Sequence, residues 1–286
     1  MKIIQATSLS DLQKNDIRGL EAVCQKQDKL QGSIFLSNAI NFNSHINCFF
    51  MLYDGDTLLS FLPIFIPTSK EAEISAYTLP GHRRQGYFST LLNKALEELK
   101  AYYVESILFV HEPASLDAKL VLERFNAKYE YSEYLLLYKG TNNSINPNDK
   151  IILEQYSKER IEDIVALNMD IFKDNYEDTY SMVKKSIESK DILSFLAYLN
   201  SEMIGVCNAN LESEDVYIFG LGISTRHQGN GYGKEMLQLL LHRLVNINKK
   251  SISLEVGSAN DRAYNLYRKS GFEIKTQFDY YRYLLG

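Results

Sequence analysis

The 286-residue sequence predicts an α/β chain, more narrowly α+β, made of two similar units in tandem. Three observations carry that prediction. Val216 to Ile223 reads as a buried strand; Gly229, Gly231 and Gly233 follow; then Met236, Leu237, Leu240, Leu241 and Leu244 recur on one helix face. The same pattern stands earlier, because Gly231 minus Gly86 is 145 and those five helix positions fall on Leu91, Leu92, Ala95, Leu96 and Leu99 at the same offset. Such self-similarity is the mark of an internal duplication. Finally, Lys139–Asp149 (KGTNNSINPND) has the Asn/Gly/Pro composition of a linker and places the boundary at 145/146, giving units 1–145 and 146–286.

Bulk properties narrow the function classes. Hydrophobic residues make up 45% and charged residues 23%, as in ordinary globular domains. A net charge of −5 gives no basic footprint for nucleic acid. Cys24, Cys48 and Cys207 are scattered and odd in number, which predicts reduced, buried thiols in a cytoplasmic protein. The five histidines have no metal-ligand spacing, so no metal site is expected. The start lacks a signal-peptide core and no apolar run reaches membrane length, so no membrane partner is expected.

In chain order, residues 11–29 predict a helix with Leu12, Ile17, Leu20 and Val23 buried. Ile46–Tyr53 and Leu58–Ile66 form a hairpin across Asp54-Gly-Asp, and Ala72–Thr78 is a further strand. The loop at Pro80-Gly-His-Arg-Arg-Gln-Gly86 then feeds the first amphipathic helix. The second copy reads as strand 151–156, helices near 158–172 and 176–189, and two strands around Asn200-Ser-Glu. The strand, loop and helix of 216–244 come next, then strand 251–256, a helix near 260–270 and short strands at 272–274 and 280–285.

Glycines between a strand and a helix let the backbone bend and a ligand come close. Free N–H groups at the helix start favour phosphate. The turn is therefore read as an anion cradle, with a ligand-free tight turn as the alternative. A Walker loop would need Ser or Thr after Lys234, where Glu235 stands, and a dinucleotide fingerprint would need glycine at Lys234. What is present is Gln228-x-x-Gly231-x-Gly233, which resembles the coenzyme A pyrophosphate loop of the GNAT N-acetyltransferases. Downstream, Asn260-x-x-Ala263-x-x-Leu266-Tyr267-x-x-x-Gly271-Phe272 resembles a second signature of that family at every named position. The element order of the second copy is also similar to the GNAT fold, a mixed sheet flanked by helices.

The resemblance implies a set of roles. Backbone N–H groups of Gln228, Gly229, Asn230, Gly231, Tyr232, Gly233 and Lys234 would hold the diphosphate of acetyl-CoA. The polar edges of Leu221, Gly222 and Ile223 would pair with the pantetheine arm like an added strand, with Gly222 leaving room. Asn260 would bind the cofactor arm or merely cap its helix. Tyr267 would protonate the departing thiolate, or would be a packing residue. No residue stands out as the base: where relatives place a carboxylate this chain has Tyr217, and Glu212, Glu214, Asp215 and Glu255 remain candidates through a water relay. The first copy keeps Pro80, Arg83 and Gly86, but Phe88, Ser115 and Leu122 stand at the places of Gly233, Asn260 and Tyr267.

A two-copy plan of this kind is similar to that of the mycothiol synthases. The expected activity is transfer of acetyl from acetyl-CoA to a primary amine by direct attack in a ternary complex, in the second copy, with a small-molecule amine as first acceptor class. The second segment also resembles ribosomal-protein N-terminal acetyltransferases, so a peptide N-terminus is the alternative. A non-catalytic acyl-CoA sensor is the rival from another class. Tandem copies that can pack together are compatible with a monomer.

Overall fold

The computed structural model describes residues 1–140, 150–247 and 249–285. The chain forms two compact units, Met1–Glu133 with Thr276–Gly286, and Tyr134–Lys275. The first unit opens with β1 (Lys2–Ala6) and α1 (Asp11–Asp28). Ser10 and Gln13 exchange side-chain and backbone hydrogen bonds at the start of α1, a capping box that satisfies two orphan donors. α1 turns Ile17, Leu20, Glu21 and Cys24 inward, an i, i+3, i+4, i+7 stripe. Leu12 and Val23, expected on that face, are exposed, because each stands one residue, about 100°, off the stripe.

The hairpin β2 (Phe49–Asp54) and β3 (Thr57–Phe65) follows. Then come β4 (Glu71–Ile74), β5 (Tyr77–Thr78), α2 (Tyr87–Ala101), β6 (Ser106–His111), α3 (Leu116–Phe125) and β7 (Lys128–Tyr138). The second unit contains the end of β7, β8 (Ile151–Gln155), α4 (Ile161–Phe172), α5 (Tyr176–Glu188), β9 (Ile192–Leu199) and β10 (Glu202–Asn210). It continues through β11 (Val216–Ile223), α6 (Tyr232–Leu244), β12 (Ile252–Gly257), α7 (Asp261–Lys269) and the start of β13 (Phe272–Leu284).

Strand order in the first unit is β1-β2-β3-β4-β6-β13-β7, and in the second β7-β12-β11-β10-β9-β8. Only β4–β6 and β11–β12 among the registered pairs are parallel. Each unit thus contains a strand segment from the other half of the sequence. The stretch Asp279–Leu284 pairs antiparallel with β6 from His111 to Ser106, and Tyr134–Tyr138 belongs to the second unit. The boundary expected at 145/146 lies outside the described residues. The compact units divide instead at Glu133/Tyr134 and assign Thr276–Gly286 to the first. The two short C-terminal strands expected from the sequence are one strand, because its polar middle is hydrogen-bonded. Thr276 Oγ1 donates to Glu112 and Gln277 Nε2 to Asp279, both at 2.6 Å, while Asp279 also accepts from Ser132.

The first core centres on Phe49, Phe50, Phe61, Leu62, Leu91, Leu92 and Leu99. In the second unit α6 lays Met236, Leu237, Leu240, Leu241 and Leu244 against Ile218, Leu254 and Phe272. α4 and α5 cover another cluster of Ile164, Val165, Val183, Leu196 and Val206. The three cysteines are free and buried. Burial pushes the thiols of Cys48 and Cys207 up to about 12, so they pack as small apolar groups rather than react as thiolates.

Candidate active site

β10 and β11 pair as Asn210↔Tyr217 to Asn208↔Phe219, then as Val206↔Gly222 and Gly205↔Ile223. Gly220 and Leu221 therefore oppose the single residue Cys207, which is a β-bulge. Gly220 has φ 54, and a Cβ there would lie 2.8 Å from Asn208 Nδ2. On its other edge β11 pairs with β12 only at Val216↔Ile252, Tyr217↔Ser253 and Ile218↔Leu254. β11 continues to Ile223 and β12 to Gly257 without a further pair. Beyond Ile218↔Leu254 the two parallel strands are unpaired, and their facing backbone edges are available to something extended. Gly222 does not serve that opening as expected. A Cβ there would sit 2.3 Å from Ile171 Cγ2, so its glycine makes room for α4.

The loop turns at Thr225–His227, passes Gly229 and enters α6 with Gly231 as N-cap. Both glycines are left-handed, φ 85 and 86, and a Cβ on either would meet nothing within 4 Å. Glycine is demanded there by the backbone and by open approach, not by packing. The N–H groups of Gly229, Asn230, Gly231, Tyr232 and Gly233 have no backbone acceptor among the described residues. They form a donor cluster at a helix start, where the dipole adds positive potential. Lys234 differs from expectation, since its N–H already donates to Gly231 O at 3.0 Å.

Side chains hold this loop in shape. Gln228 Nε2 donates to Ile223 O at 3.0 Å, and its Oε1 accepts from Arg262 Nη1 at 2.9 Å. Asn230 Nδ2 donates to the carbonyls of His227 and Gln228, both at 3.2 Å. The Thr225 N–H reaches Asp170 of α4 at 3.2 Å. A Cβ at Gly233 would make only ordinary contacts, 3.8 Å from Ile223 Cγ1 and from Leu266 Cδ2. The loop is thereby tied to β11, α4 and α7. Glu235, in the next turn, accepts from Ile151 N–H at 2.6 Å and so anchors β8.

On α7, Asn260 Oδ1 accepts from Ala263 N–H at 3.1 Å and caps the helix. Tyr267 is buried and meets Phe272 edge to face at 5.9 Å. Its hydroxyl forms no hydrogen bond with a described residue, and burial pushes its pKa up to about 12, which keeps it protonated. Neither Asn260 nor Tyr267 hydrogen-bonds to the loop. Beneath the opening, Tyr217 Oη donates to Glu255 Oε2 at 3.3 Å. Of the other carboxylates considered for a base, two are engaged at the surface: Glu214 pairs with Lys250, and Asp215 accepts from Ser251 Oγ at 2.7 Å.

Two stretches, residues 15–126 and 161–272, each match the Acetyltransferase (GNAT) family. The chain belongs to that family. It is a tandem GNAT protein and an acyltransferase. It is 30% identical over 143 residues to N-alpha-acetyltransferase 50 of Danio rerio, covering 46% of this chain and 81% of that protein. The fold is that of a GCN5-related N-acetyltransferase from Sphaerobacter thermophilus, with TM-score 0.72, 14% identity, and 99% and 96% of the two chains covered. A tandem GNAT protein from the clavulanic acid biosynthesis pathway gives TM-score 0.70 at 10% identity over 100% and 98%.

Seen as a GNAT site, the second unit holds three features that sequence reasoning missed. Gly220 makes the bulge, and a glycine inside a strand pattern is a signal for one. Arg262 and Asp170 brace the loop, and nothing in their local sequence distinguishes them from solvated charges.

Proposed function

We propose that the second unit transfers an acetyl group from acetyl-CoA to a primary amine by direct attack within a ternary complex. The observation that carries the reading is the parting of β11 and β12 beyond Ile218↔Leu254, with the donor cluster of Gly229–Gly233 at the end of the same strand. A pantetheine arm can add to the edge of Leu221–Ile223 as an extra strand, while the N–H cluster takes the diphosphate. The acetyl carbonyl then lies against backbone donors that stabilise its developing negative charge.

Glu255 with Tyr217 is the base this arrangement favours. The carboxylate takes the ammonium proton, directly or through the Tyr217 hydroxyl, and the neutral amine attacks the thioester carbonyl. The C–N bond forms, the C–S bond breaks as Tyr267 gives its proton to the sulfur, and the proton then lost from the new amide nitrogen restores the Tyr267 phenol through solvent. Asn260, though occupied as a cap, keeps its amide N–H groups for the cofactor arm. The first unit carries out no turnover.

A small-molecule amine is the first acceptor class. The likeness to N-alpha-acetyltransferase 50 favours a second, the α-amine of a peptide. Mass spectrometry of products from acetyl-CoA with polyamines, amino sugars and N-terminal peptides separates the two, and Glu255→Gln should lower turnover about tenfold or more on whichever is used. Cofactor binding without release of thiol on any acceptor would favour the sensor reading.

A further inference from the structure

We infer that Arg262 is a positioning residue for the loop of the second unit and acts through Gln228; this rests on the acetyltransferase reading above. Gln228 is a hub. Its Nε2 is bound to the last carbonyl of β11, at Ile223, and its Oε1 to the guanidinium of Arg262 in the first turn of α7. The same helix carries Asn260 at its cap and Tyr267 about two turns on. One glutamine side chain thus sets the distance between the strand that would line the cofactor, the N–H cluster and the helix of the proposed acid.

The first unit contains the same brace with its chemistry reversed. Arg83 Nε donates to Thr78 O at 3.0 Å and Arg83 Nη1 donates to Asp117 Oδ2 at 2.9 Å, while Asp28 of α1 also accepts from Nη1 at 2.9 Å and from Nη2 at 2.6 Å. At the offset of 145, Thr78 falls on Ile223, Arg83 on Gln228 and Asp117 on Arg262. The helix caps confirm that equivalence. Ser115 Oγ accepts from Ala118 N–H as Asn260 Oδ1 accepts from Ala263 N–H, and each pair differs by 145. In one unit the loop residue accepts from an arginine on the helix; in the other the loop residue is the arginine and the helix supplies the carboxylate. A contact kept while donor and acceptor change places is kept for its geometry. A loop held in its binding shape before the ligand arrives does not have to be ordered by the ligand.

The competing role for Arg262 is direct contact with a phosphate, and transplanting the first unit's pair into the second separates the two. The full chain is titrated calorimetrically with CoA as wild type, Arg262→Ala, Arg262→Asp and the double variant Gln228→Arg/Arg262→Asp, with melting curves to establish folding. Both residues are exposed, so each variant is expected to fold. Arg262→Ala should weaken CoA binding about three- to tenfold, the range of one hydrogen bond's net contribution at an exposed site. Arg262→Asp should weaken it at least as much. The double variant, which rebuilds the brace without a cation at 262, should bind at least about threefold tighter than Arg262→Asp alone. Affinity unchanged in Arg262→Ala overturns the inference. So does a double variant no tighter than Arg262→Asp, which would assign Arg262 to the phosphate. A wild-type chain that fails to bind CoA overturns the acetyltransferase reading itself.

Discussion

The loops of the two units have nearly the same backbone and different surroundings. Gly86 and Gly231 have φ 85 and 86, and two residues before them Arg84 and Gly229 are left-handed as well, at φ 61 and 85. Both glycines cap the following helix. The preceding strands do not match. From Ile64↔Ile74 to Phe61↔Tyr77 the register moves three residues on each strand. From Asn208↔Phe219 to Val206↔Gly222 it moves two against three. The first unit thus lacks the bulge, although Tyr77–Thr78, the counterpart of Gly222–Ile223, is likewise paired with β3 alone while β4 is paired with β6. Leu122 is buried where Tyr267 is buried, and Phe88 stands at the place of Gly233. Features that turn a strand into a helix persist in both units, because the fold needs them. The bulge, the third glycine and the phenol, to which the proposed function gives a role toward a ligand or a proton, are confined to the second.

The strongest way to break this contrast is to treat both loops alike. Gly231→Val and Gly86→Val should bear similar backbone strain, about 1–3 kcal/mol, for a bulky residue at positive φ. CoA affinity should nonetheless fall by roughly a hundredfold or more in the first, through blocked approach to the N–H cluster, and stay within about twofold in the second. Equal losses in calorimetric titration would mean that both loops bind.

A comparable loss, in turnover alone, is expected of the acid. Tyr267→Phe keeps the ring against Phe272 and removes the proton, so kcat should drop on the order of a hundredfold at nearly constant CoA affinity. Leu122→Met, a volume-conserving swap at the matching place, should leave steady-state turnover where it was.

Smaller effects should come from the bulge. Gly220→Ala forces a Cβ toward Asn208 at positive φ and should cost about 1–3 kcal/mol of stability, with kcat/KM down by about tenfold as the strand edge shifts. Ser75→Ala, at the matching offset in the unbulged strand, should change stability by less than about 0.5 kcal/mol. Thermal melts and initial rates on the two variants give the comparison directly.

The least effect is expected from pH. The folded pKa of Tyr267, pushed up to about 12 by burial, lies above its unfolded value near 10. The stability this group contributes is full below about pH 10 and is lost as pH rises through 12. The kcat profile should therefore show no alkaline limb from Tyr267 between pH 7 and about 10. An apparent pKa near 8 that vanishes in Tyr267→Phe would overturn that placement.

Much of the fold and of the site is legible in the sequence. The duplication, the amphipathic helices, the hairpin at Gly55 and the strand, loop and helix of 216–244 all rest on periodicities of two and 3.6 and on turn chemistry, which act within a few residues. Asn260 and Tyr267 are marked by the resemblance of their segment to a family signature. Leu12 and Val23 mislead because an apolar residue next to a stripe looks much like one within it.

By itself the sequence determined that two copies of one strand-and-helix pattern would form, that glycines would open the second copy's loop, and that a phenol would stand in only one of them. Tertiary structure alone decided that Thr276–Gly286 completes the first unit, that β11 carries one residue more than its partner, that Gly222 makes room for Ile171, and that Gln228 is held between Ile223 and Arg262. Each of those outcomes depends on which strand edge a returning segment meets, or on a side chain reaching a partner tens of residues away. No local pattern encodes such a partner, because its energy exists only once the intervening chain has packed.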